Sequence, residues 1–241
     1  VPIDYSANPG IDGRLKEHFG LAEDDWDGLN RALGVDFARA GAPYTGPKLH
    51  EAPPNRRVNN WGVRTRYIEH GSGGYWDFCD FPLREASVEE ARNWPMPSPD
   101  DYDYAAARRN AEQKRDYCVF VGGSGLACII NRVGKLRGMD QILVDLATDD
   151  PVAEVLIERR KAIELEVAER EIEACGDLVD FLWMGEDLST QRGPMISLEL
   201  YRRSIRPHHE QYIRLARAYD LPVLFHSCGS IYQYIPDLID A

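Results

Sequence analysis

Three near-continuous apolar runs of strand length, at 117–121, 178–184 and 221–225, divide the C-terminal half of the chain, and long helical stretches separate them. Such alternation dictates a parallel sheet, because parallel neighbours need a long crossover and a helix supplies it. Strands that are apolar at successive positions are covered on both faces, as in barrels and doubly wound sheets. The longest helix has clear punctuation. Asp150 and Pro151 form a capped start, Val152, Val155, Leu156, Ile163, Val167 and Ile172 recur at helical spacing, and Gly176 closes it. A further helical stretch covers 139–147, and Ser197 caps another that is interrupted near Pro207 and runs to Tyr219.

Two shorter strand candidates lie upstream, at 1–5 and 35–38, which makes five parallel strands. Between them and residue 117 the pattern changes. Trp61-Gly-Val-Arg-Thr-Arg-Tyr-Ile68 mostly alternates and Gly71-Ser-Gly-Gly74 follows it, which predicts a β-hairpin or small lid. Ser87-Val-Glu-Glu90 is a capping box, and the proline-rich stretch 94–99 is a linker. The inserted region spans about 55–100 of a single domain over 1–241. Five strands leave an uncovered edge and interior in a barrel that needs eight. The chain is therefore either a barrel cut short or an open sheet. Val1 in place of Met, and a helix that is only beginning at 232–241, suit a piece of a longer chain.

The balance of 28 basic against 40 acidic residues, a formal charge of −12, disfavours nucleic-acid and anionic-membrane partners, which would repel it. Arg202, Arg203 and Arg206 form one candidate basic cluster, read as a solvated helix face. No apolar run approaches the about 20 residues of a membrane span, and no secretory leader is evident. Five scattered cysteines, an odd number within apolar stretches, fit a reducing cytoplasm rather than a disulfide framework.

Phe225-His226-Ser227-Cys228-Gly229 directly follows the last strand. Sites in parallel α/β enzymes form at the C-terminal ends of strands, and residues two apart there project to one side. The imidazole of His226 and the sulfur of Cys228 can thus converge on one ion, and that donor pair favours zinc. Gly229 permits the tight turn that brings the sulfur inward. Two ligands do not complete a zinc site, and on spacing alone a core cysteine beside a hydrogen-bonded histidine is the stronger reading of the pair. Glu186 and Asp187 end the preceding strand as carboxylates able to bind substrate, exchange a proton or ligate a metal, or simply to cap the loop. Cys118, Cys128 and Cys175 read as core fillers, Cys79 as a remote third-ligand candidate, and the other five histidines as having no convergent partners. Gly122-Gly-Ser-Gly125 lacks dinucleotide-binding spacing and reads as a close-approach turn.

Three stretches together resemble the uroporphyrinogen decarboxylase superfamily: Gly185-Glu-Asp-Leu-Ser-Thr-Gln-Arg-Gly-Pro-Met-Ile-Ser197, Tyr201 with Arg206-Pro207, and Leu224-Phe-His-Ser-Cys-Gly229 running into Ile235-Pro-Asp-Leu-Ile239. Asp80-Phe-Pro-Leu-Arg-Glu-Ala86, Trp94-Pro95, Pro99-Asp-Asp-Tyr102 and Leu33-Gly-Val-Asp36 extend the likeness upstream. The resemblance implies a (β/α)8 TIM barrel, truncated here after about five strands. It also implies one of two chemistries. In the methyltransferase branch, zinc holds a thiol acceptor that takes a methyl group from a corrinoid carried by a partner protein. His226 and Cys228 match two of that branch's zinc ligands, and its third cysteine would fall beyond residue 241. Glu186 or Asp187 would hold an open coordination place. The other branch decarboxylates uroporphyrinogen without a cofactor, and Asp36 matches its important aspartate. Its arginine-rich segment is missing from Ile3-Asp-Tyr-Ser-Ala-Asn-Pro-Gly10, which weakens that alternative. A non-catalytic barrel that binds a small molecule or a corrinoid partner is a third reading.

Overall fold

The computed structural model describes residues 1–71 and 73–241; Ser72, in the turn expected at 71–74, lies outside the described residues. Helices α1 (Pro9–Phe19) and α2 (Trp26–Leu33) precede strand β1 (Phe37–Arg39). Three antiparallel strands follow, β2 (Arg57–Val58), β3 (Arg64–His70) and β4 (Gly73–Cys79), and then α3 (Val88–Asn93) and α4 (Tyr104–Gln113). Strand β5 (Cys118–Gly122) leads into α5 (Ile130–Arg137), α6 (Met139–Thr148) and the 25-residue α7 (Pro151–Cys175). Strand β6 (Phe181–Gly185), the small hairpin β7 (Ser189–Thr190) and β8 (Gly193–Pro194), and helices α8 (Leu198–Ser204) and α9 (Arg206–Ala218) come next. Strand β9 (Val223–His226) and α10 (Ile235–Asp240) complete the order.

The main sheet is parallel throughout, in the order β1-β5-β6-β9. Each strand adds beside its predecessor in the chain, so the winding never reverses. A doubly wound sheet reverses at its switch point. The fold is therefore α/β with a singly wound parallel sheet of four strands among the described residues. The expected fifth strand at 1–5 is not one. That segment is held at Ile3, which exchanges two hydrogen bonds with Asp36 (Asp36 N–H to Ile3 O at 2.8 Å and Ile3 N–H to Asp36 Oδ2 at 2.6 Å), and at Tyr5, whose hydroxyl donates to Asp12 Oδ1 at 2.6 Å. A side-chain acceptor takes the place of the next ladder bond, and no β-ladder forms.

The two sheet faces differ chemically. Val119 and Val121 of β5 and Leu182 and Met184 of β6 are buried in one cluster with Ala168 and Ile172 of α7 and Tyr212 and Ala216 of α9. The opposite face carries Phe37, Phe120, Phe181 and Trp183, whose rings contact one another at centroid distances of 4.9–5.6 Å. Strand alternation places Arg39, Gly185 and His226 on this same aromatic face. A second core joins α3, α5, α6 and the first half of α7 to Leu188, Tyr201 and Tyr234.

The helix starts follow their capping chemistry. Asp150 accepts from Val152 N–H, Ser197 from Leu200 N–H, and Ser87 with Glu90 forms the reciprocal capping box. The stretch after Ser197 splits at Ile205, because Pro207 lacks the N–H that would continue α8 and instead starts α9. In the inserted region, β2 widens the expected hairpin into three strands.

Candidate metal centre

The parallel register pairs Gly185 with His226, so the ends of β6 and β9 lie side by side. That closeness needs a glycine. A Cβ at Gly185 would fall 2.6 Å from the backbone oxygens of both Ser124 and His226. Beyond β9 the chain turns at Gly229, with φ of 81°, where a Cβ would meet Ser189 O at 2.3 Å. The turn folds Cys228 back over the strand end. Its backbone N–H donates to Asp187 Oδ1 at 2.9 Å, and its sulfur lies 3.5 Å from His226 Nε2. His226 Nε2 is in turn 3.5 Å from Asp187 Oδ1. Donor atoms of Asp187, His226 and Cys228 all lie within 4.8 Å of one another.

This spacing can be tested against a metal. Tetrahedral zinc, with Zn–S about 2.3 Å and bonds to nitrogen and oxygen about 2.0–2.2 Å, separates sulfur from nitrogen by roughly 3.5 Å and nitrogen from oxygen by roughly 3.4 Å. The two distances here match those edges, and an N/S/O set of three leaves a fourth place open. The residues fit zinc.

Asp187 is held for this position. Asn131, in the first turn of α5, donates from Nδ2 to its Oδ2 at 2.7 Å, which leaves Oδ1 to face the histidine and the sulfur. Burial pushes the Asp187 carboxyl up, but hydrogen bonds from the Cys228 backbone and thiol and from Asn131, with His226 nearby, outweigh it and hold the carboxyl below its ordinary range. The Cys228 thiol goes the other way, raised first by its hydrogen bond to Asp187 and then by partial burial.

Glu186 does not join the cluster. Its side chain turns inward beneath the start of α5, where it is fully buried. There it accepts from Ile129 N–H at 2.5 Å, Ile130 N–H at 3.2 Å and the Cys128 thiol at 3.1 Å. Helix α5 has no capping side chain of its own, so Glu186 caps it from 56 residues away in sequence. Cys128, expected as a core filler, is buried and bonded to that carboxylate. Asp36 is exposed at the N-terminal entrance of β1, the opposite end of the parallel strands from His226, and its carboxylate is occupied by Ile3. The arginine cluster is not simply solvated. Arg202 and Arg206 both grip Asp237, and Arg203 reaches Asp149.

Two groups were not visible in the sequence. Asn131 has no motif around it, though it follows the loop at the end of β5, where strand-end chemistry is expected. His209 was read as lacking convergent partners. It is fully buried between Tyr201, 3.4 Å from its Nδ1, and Glu186, 3.9 Å from its Nε2. The Gly122 turn is a close approach, since a Cβ there would meet Trp183 O at 2.3 Å. No helix among the described residues is long and apolar enough to cross a membrane. Comparison with protein-family models, with curated proteins and with solved structures finds no significant match for this chain.

Proposed function

We propose that the chain is a (β/α)8-type barrel piece of a zinc-dependent methyltransferase that activates a thiol acceptor, the methyl group coming from a corrinoid on a partner protein. The observation that carries this reading is the convergence of one nitrogen, one sulfur and one oxygen donor at the C-terminal end of adjacent parallel strands. His226, Cys228 and Asp187 would hold the metal. When bound, zinc supplies the Lewis acidity that turns a substrate thiol into a thiolate near neutral pH. The chain's own residues arrange for it. Asn131 restricts Asp187 to one ligating oxygen, and Gly185 and Gly229 bring the histidine and the sulfur within reach of each other. The consecutive strand order and the resemblance of 185–239 to the superfamily support the barrel and the reaction class. The decarboxylase alternative is disfavoured, because Asp36 lies at the far end of the strands from the converging donors.

Zinc content and affinity, measured by competition with a chromophoric chelator, test the reading. Wild type is expected to bind one zinc, and Cys228→Ala to bind it about a hundredfold more weakly or worse. Equal affinity in both proteins would sink the proposal.

The pH dependence has a fixed sign. A raised thiol pKa means that a proton competes with zinc for Cys228 over the whole neutral range. Affinity should therefore climb as pH rises, by about tenfold per unit for one displaced proton, and level off only above the raised thiol pKa. Asp187, held low, stays ionised and contributes no slope there. A flat profile between pH 6 and 8 (roughly the thiol's protonated range) would remove Cys228 from the ligand set.

A further inference from the structure

We propose that the cleft beside the metal ligands binds a small organic anion, with Arg132 and Arg39 as its two recognition groups. The cleft, about 590 Å³, opens at the C-terminal ends of β1, β5 and β6. That size suits a small molecule. Its rim adjoins the strand end that carries His226, because Ser124 lines the cleft and its backbone oxygen crowds the same point over Gly185 as His226 O. The site goes beyond the zinc reading and does not depend on it.

Both guanidiniums are accommodated in the same way, each lying over a glycine. A Cβ at Gly125 would fall 2.6 Å from Arg132 Nη2, and one at Gly41 would fall 3.0 Å from the guanidinium carbon of Arg39. Arg132 is steadied by donating from Nε to Gly125 O at 3.0 Å, which leaves its two terminal nitrogens for a ligand. Neither arginine meets a carboxylate within ion-pair distance among the described residues. Acids are not scarce, since the chain carries 40 against 28 basic residues, and Arg137, Arg160, Arg202 and Arg206 all find one. Arg14 and Arg115 also stand without an acid among the described residues, but on the open surface. Arg39 and Arg132 differ in lining one cleft together, and two unmatched guanidiniums in one cleft point to an anion from outside.

The cleft's own acids do not fill the role. Glu164 is taken by Arg160 at 2.7 Å. Glu171 is buried and accepts from Ala42 N–H at 2.7 Å; burial raises its pKa against the smaller opposing pull of that bond and of the Arg39 charge, with which it makes no ion pair. Asp4 sits exposed at the open rim. Planar guanidinium forks pair with carboxylates and phosphonates alike, so an anionic oxygen group is the recognised chemistry.

Succinate and methylphosphonate, titrated against chelator-treated protein by calorimetry or by NMR shift, distinguish the two sources. The metal-free protein is used so that neither probe can ligate zinc. Wild type is expected to bind at least one of them. Arg132→Gln and Arg39→Gln should each weaken that probe about tenfold, a loss of one charge-assisted pair. Cys228→Ala should leave it unchanged, which separates this site from the metal centre. Arg132→Lys keeps the charge without the fork and should fall between wild type and Arg132→Gln; it also serves if Arg132→Gln does not fold. The proposal is overturned if neither probe binds at millimolar concentration. It is equally overturned if the Arg39→Gln, Arg132→Gln double variant, folded by circular dichroism, binds as wild type does.

Discussion

Glu186→Ala is expected to destabilise the protein by about 3–5 kcal/mol, the range for removing one member of a buried, charged hydrogen-bond set. The carboxylate is inaccessible to water, and two backbone N–H groups at the start of α5 depend on it. With alanine those donors stay buried and lose their acceptor, each at a cost of about 1–3 kcal/mol. No other side chain caps the helix. The damage should reach the metal centre, because Asn131 is the next residue along α5 and holds Asp187 Oδ2. Zinc affinity should therefore fall together with the urea midpoint, although Glu186 touches none of the three ligands. Glu186→Gln keeps one acceptor oxygen but points an amide donor at donors, so its cost should be intermediate. An unchanged urea midpoint in Glu186→Ala would show that the cap carries no weight.

The contrast between Glu186 and Asp187 marks how far a sequence can be read here. Both are carboxylates at one strand end, and nothing local tells which faces the ligands. The answer comes from α5, whose uncapped first turn lies across the strand end and draws Glu186 inward. The His226 and Cys228 pair was legible because a two-residue spacing at a strand end fixes a common side whatever surrounds it. The long α7 was legible because Asp150 and Pro151 act within their own helix turn. Residues 1–5 were misread for the complementary reason. Their apolar content is compatible with a strand, but pairing needs a partner edge, and the Asp36 carboxylate occupies the position where a ladder would begin. Arg39 and Arg132 escaped notice because the cleft that unites them joins segments 93 residues apart, and the unpaired state of a guanidinium is a property of the fold rather than of a motif.

Gly185→Ala should destabilise the protein by about 3 kcal/mol and empty the metal centre at the same time. The added methyl would sit 2.6 Å from two backbone oxygens and 2.9 Å from His226 Cβ. None of these is the end of a flexible side chain, so relief requires β9 or the loop after β5 to move. Moving β9 displaces His226, and moving the loop displaces the segment that leads into α5 and Asn131. Either adjustment spoils the 3.5 Å spacings of the three donors. The same substitution at Gly13 is the control. Gly13 lies inside α1 with nothing within 4 Å of a Cβ, so alanine there should stabilise by about 0.5–1 kcal/mol through helix propensity. Opposite signs for one chemical change at two glycines, with zinc lost only at Gly185, would tie the metal centre to the close approach of β6 and β9. A Gly185→Ala protein that melts normally and still binds zinc would mean that the strand ends are not packed together as described.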